Sequence, residues 1–100
     1  MNKLPSSIPA SGHLKSPKPV RALIGRSRAR HIQPSDHLVV LAEIESEIRL
    51  REVWMEVHSA AGSTERFNDL AMECCVLDAE LKVAAHFYLA LKPAQTTNLA

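Results

Sequence analysis

Thr64 to Leu91 reads TERFNDLAMECCVLDAELKVAAHFYLAL, and its apolar spacing decides the fold. Phe67, Leu70, Cys74, Leu77, Leu81, Ala84, Tyr88 and Leu91 recur at alternating steps of three and four. That spacing puts them on one side of an α-helix and makes a coiled-coil seam. Met72, Val76, Ala79, Val83, Phe87 and Ala90 form a second stripe on the same element, parted from the first by Asp69, Glu73 and Glu80 on one flank and Asp78 and Lys82 on the other. A helix with two apolar faces needs two surfaces to pack against.

Working outward, Ser63 or Thr64 can cap this helix, Glu65 suits its positive end, and Pro93 stops it after Lys92. Upstream, Ser35 or Asp36 can cap an earlier helix that runs to Ala61, where Gly62 supplies the stop. Leu41, Ile44, Ile48 and Met55 share one side of it, and Leu50, Val53, Trp54, Val57 and Ala61 another. Glu45 with Arg49 and Glu47 with Arg51 sit at i,i+4 on the edges between. The spacing predicts helices over 36–61 and 64–92. So short a loop returns the second helix antiparallel to the first. The expected fold class is therefore all-α, a coiled-coil-like two-helix hairpin over 35–93 with a flexible tail over 94–100. One stripe per helix closes the hairpin. The second stripes need a partner, and two hairpins joined as a four-helix bundle are the economical answer. Cover by the chain's own arm or by another protein is the alternative.

The arm is the stretch up to Pro34. It holds Lys3, Lys15, Lys18, Arg21, Arg26, Arg28 and Arg30 with no Asp or Glu, formally +7. All eleven acidic residues follow, against Arg49, Arg51, Arg66, Lys82 and Lys92, formally −6. Five of the six prolines lie in the arm and no periodicity runs through it, so residues 1–34 read as a disordered basic segment. Val20 to Ile24 is a local exception, a short apolar patch able to dock or to form a helical turn. Lys15, Lys18, Arg21, Arg26, Arg28 and Arg30 should attract a polyanion. Ser16-Pro17-Lys18-Pro19 resembles, in one partial copy, the Ser-Pro-basic motifs of DNA minor-groove tails. The plainer reading is a solubilising tail, or one folded back on the acids of its own chain.

Catalytic and metal-binding patterns are absent from the sequence. The five histidines at 13, 31, 37, 58 and 86 form no His-Glu-x-x-His or Glu-x-x-His pair. Cys74 and Cys75 are adjacent, and neighbouring helical side chains diverge by about 100°, so both cannot face one ion or bridge each other. Cys74 falls on the seam and reads as core, and Cys75 lies toward an edge. Glu43, Glu45, Glu47, Glu52 and Glu56 interleave with arginine as a solvated face does. Trp54 and Tyr88 read as packing anchors and His58 as a partner for the negative helix end. No phosphate loop, dinucleotide fingerprint or nucleophile elbow occurs. Long helices offer no enclosed cleft.

The expectation is a non-enzymatic interaction or adaptor protein without cofactor, metal or small-molecule substrate. It would self-associate, as a homodimer, through Met72, Val76, Ala79, Val83, Phe87 and Ala90, and contact an anion or a protein partner. The competing expectation is a nucleic-acid-binding accessory factor using residues 15–31. Two cysteines without a disulfide framework favour a reducing, cytoplasmic location. The arm's prolines argue against an amphipathic targeting helix, and no apolar run reaches membrane-span length.

Overall fold

The computed structural model describes residues 14–90. Lys3, the 94–100 tail and the last residues of the expected second helix lie outside them. The described chain is all-helical, with no strand: α1 Val20–Ser27, α2 Pro34–Ala60 and α3 Thr64–Ala90.

α2 begins at Pro34 rather than at a capping Ser35 or Asp36. Gln33 is extended and makes no side-chain cap. Proline suits a first helical position because its missing N–H would have had no helical partner there. The exit from α2 is chemically explicit. Gly62 adopts φ 77°, its N–H donates to Ser59 O at 3.1 Å, and Ser63 N–H donates to His58 O at 2.8 Å. These two bonds close a Schellman turn, and the left-handed backbone at its centre is one that side chains rarely adopt. α3 then starts at Thr64, with Phe67 N–H donating to Ser63 O at 3.1 Å.

α3 lies along α2 in the opposite direction. Arg51 reaches Glu73 and Cys74 reaches Ile48, so stepping back along α2 steps forward along α3. The buried core is small: Leu23 of α1, Val40 and Ile44 of α2 and Leu77 of α3, with Val20, Ile32, Ile48 and Leu81 packed against it. Ala84 is buried as well. Every described residue of the first α3 stripe is at least half-buried, from Phe67 to Tyr88.

The arm departs from the expectation. Residues 14–33 are not a free tail: α1 and the extended segment before it pack on both long helices. Composition counts only what a segment can bury within itself, and here Leu23 buries in a crevice made by α2 and α3. The extended run before α1 includes Pro17 and Pro19 and cannot bond its own backbone. α2 serves it instead. Lys18 N–H donates to Glu47 Oε1 at 3.0 Å, Arg51 Nη2 donates to Lys18 O, and Trp54 Nε1 donates to Lys15 O at 2.7 Å. At the helix entry Ala22 and Leu23 N–H both turn back to Pro19 O.

Candidate functional site

Arg51 joins all three parts of the chain. Its side chain is 1% exposed. Nε donates to Glu73 of α3 at 2.8 Å, Nη1 to the carboxylate of Glu47 at 2.8 Å and to the Glu47 carbonyl at 3.1 Å, and Nη2 to the Lys18 carbonyl of the arm. A planar guanidinium presents five N–H donors on three separate nitrogens and can serve acceptors spread around its plane, a reach that the compact ammonium of lysine does not have. The i,i+4 spacing of Glu47 and Arg51 is therefore a buried junction and not a solvated edge. The signal was present in the sequence, since Val40, Ile44, Glu47 and Arg51 share one helical stripe.

The six cations expected to meet an anion divide into two groups. Lys18 Nζ pairs with Glu43 at 2.7 Å, and Arg26 contacts the other oxygen of the same carboxylate. Arg28 pairs with Glu80 at 2.9 Å, and Ser27 Oγ donates to that carboxylate too. Lys15, Arg21 and Arg30 have exposed side chains with no ion pair among the described residues. Glu80, which sequence spacing places on a polar flank, is buried because the arm covers it and supplies both partners. The Lys18 hydrogen bond holds the Glu43 carboxyl below its ordinary range despite partial burial, with Arg26 acting in the same direction. The Arg28 guanidinium is pushed up by its hydrogen bond to Glu80.

The second α3 stripe stands in the open. Met72 is 68% exposed, Val76 44%, Val83 42% and Phe87 57%, and Ala79 and Ala90 are exposed beside them. Leu38 and Val39 of α2 and Leu89 of α3 are further large apolar side chains in water. At its C-terminal end the stripe becomes concave. Val83, Phe87 and Ala90 line an open groove of about 510 Å³ whose other wall is the α1–α2 link, with Arg28, Ala29, Arg30 and Ile32, together with His37 of α2. Two long helices alone would not make this wall. The docked link does.

Trp54 stacks on His58 with ring centroids 5.5 Å apart, so His58 packs as well as sitting in the last turn of α2. Cys74 is half-buried, and burial raises its thiol pKa; Cys75 is exposed. Among the described residues no cluster of three or more His, Cys, Asp or Glu could hold a metal, and no helix is long and apolar enough to cross a membrane. No protein-family model, curated protein or solved structure matches this chain.

Proposed function

We propose that the chain is a non-enzymatic interaction protein in which α2 and α3 act as a helical hairpin and self-associate through Met72, Val76, Ala79, Val83, Phe87 and Ala90. The observation that carries this reading is the continuous apolar stripe left in water along α3. A contiguous exposed apolar surface is a characteristic of interaction sites, and a chain with so few buried apolar side chains gains from a second layer of helices. Two such pairs face to face would bury both stripes as a four-helix bundle.

The arm's part in this reading is mainly intramolecular. Lys18, Arg26 and Arg28 are engaged with Glu43 and Glu80, which leaves Lys15, Arg21 and Arg30 for an external anion. On duplex DNA the loss of three phosphate contacts from six would reduce the salt dependence of binding from a log–log slope of about −5 to about −3. That weakens the nucleic-acid reading relative to self-association.

The test is the mass of the full chain by light scattering, compared with Val76→Glu/Val83→Glu. Each substitution would place an unpaired carboxylate in an apolar interface, at a cost of several kcal/mol, roughly. We expect an oligomer for the parent and a monomer of lower helicity for the variant. An equal mass for both overturns the assignment of this stripe to self-association.

A further inference from the structure

The groove between the end of α3 and the α1–α2 link carries chemistry that self-association does not use. His37 is 5% exposed and is one of the residues that line the groove. Its Nδ1 is fully covered with no hydrogen-bond partner. A buried N–H without an acceptor is among the rarest unsatisfied groups in folded proteins. With Nδ1 so enclosed, the ring nitrogen left to donate to a groove ligand is Nε2. Arg30 stands exposed at the rim and pairs with no acid of the described chain, whereas Arg28 beside it is neutralised by Glu80. The rest of the lining is Ile32, Val83, Phe87 and Ala90 with Ala29 and Ser27, whose hydroxyl is engaged with Glu80. Thus an unpaired guanidinium and an imidazole donor border a largely apolar hollow, whose 510 Å³ falls in the range of small-ligand sites, roughly 300–1,000 Å³.

We propose that this groove binds a small apolar molecule ending in a single carboxylate, of the fatty-acid type. The carboxylate oxygens take Nε2–H of His37 and the guanidinium of Arg30, and the apolar body lies on Val83 and Phe87. Charge complementarity selects this occupant. A cationic amphiphile would meet Arg30 unfavourably, and a neutral alcohol would leave that guanidinium without its anion. The inference does not rest on the self-association reading, although the groove shares Val83, Phe87 and Ala90 with that stripe.

Calorimetric titration of the full chain with decanoate, decanol and decyltrimethylammonium, each below its aggregation concentration, tests the proposal. Decanoate should bind saturably at one per chain, decanol at least about tenfold more weakly, in keeping with the worth of a charge-assisted hydrogen bond, and the cation not measurably. Arg30→Gln should weaken decanoate by about tenfold and leave decanol unchanged, as expected for loss of one charged contact. His37→Gln, which keeps a donor, should retain more decanoate affinity than His37→Leu, and Phe87→Ser should weaken both ligands. Nitrogen NMR of the imidazole should report the proton on Nε2 and a shift of His37 on adding decanoate. Met72→Glu/Val76→Glu, at the other end of the stripe, should lower the light-scattering mass and leave decanoate binding at least as tight as in the parent, because assembly covers Val83, Phe87 and Ala90, so the two readings fail separately. Equal affinity for the three head groups, no saturable decanoate binding, or a proton found on Nδ1 overturns the proposal.

Discussion

Leu77 and Val76 are neighbours on α3 and meet opposite fates: Leu77 has no exposed surface, while Val76 is almost half exposed. The same division runs along the helix, with Ala84 buried beside exposed Val83. Apolar content alone does not explain which face is covered. The covered side is the one where carboxylates await the arm, with Glu43 and Glu47 on α2 and Glu80 on α3. α1 brings Leu23 to the core together with Arg26, Ser27 and Arg28, so apolar burial and ion pairing select the same docking position. The Val76 side has no such arrangement of partners among the described residues. Among the described residues, coverage follows charge placement.

The largest expected effect breaks the covered side at its junction. Arg51→Ala should lower stability by about 3–5 kcal/mol, the usual cost of removing one partner from a buried ion pair. Glu47 would lose its nearest cation, and the Lys18 carbonyl and Glu73 would each lose a donor. Arg51→Lys should recover only a minor part, because an ammonium cannot reach three acceptors in a planar fork. Urea unfolding followed by circular dichroism measures both. A loss under about 1 kcal/mol for the alanine variant, the range of an exposed pair, would show that the junction is not buried in solution.

A second contrast compares the two faces directly. Leu77→Ala should cost about 3–5 kcal/mol as a core truncation, whereas Val76→Ala should cost within about 0.5 kcal/mol in the monomer. At concentrations where the chain self-associates, Val76→Ala should instead weaken assembly. Equal unfolding midpoints for the two variants would erase the distinction between the faces.

The helical class, the two long helices and the glycine turn were legible because each rests on local chemistry: a sustained three-four spacing, and a left-handed residue that only glycine fills readily. The start of α2 was less so, since the helix begins at Pro34, ahead of the expected caps Ser35 and Asp36, whereas α3 starts at Thr64 as expected. The arm was legible only as the short Val20–Ile24 patch. Its order arises from contacts such as Ser27 with Glu80, across 53 positions of sequence, which no local pattern encodes. Glu80 illustrates the cost of reading charge as exposure, because it is buried by partners far away in sequence, whereas Glu47 is buried by Arg51 four residues on and by the distant Lys18 N–H. His37 was counted among histidines without motif, and its relevance appears only once the docked link walls the groove.

The smallest expected effect sharpens the ionic half of the arm's docking. Glu43 binds Lys18 and Arg26, and its carboxyl is held below the ordinary glutamate value of 4.5. A carboxyl depressed in the folded state contributes stability above its unfolded pKa, and that contribution is lost as pH falls through the folded value. Arm docking should therefore loosen progressively below pH 4.5, with no step from this group near neutrality. Both cations are more than half exposed, so solvent screening limits the effect to about 1 kcal/mol or less. The chain's one tryptophan is a convenient reporter, because Trp54 Nε1 donates to the Lys15 carbonyl and its emission should shift when that segment lifts. Glu43→Gln should resemble the acid-loosened parent at pH 7 and show a smaller acid transition. Raising salt to 1 M, where the Debye length is about 3 Å, should loosen the parent toward the variant and leave the variant almost unchanged. If Glu43→Gln titrates like the parent, Leu23 and the backbone bonds to Glu47 and Arg51 hold the arm without help from its surface charges.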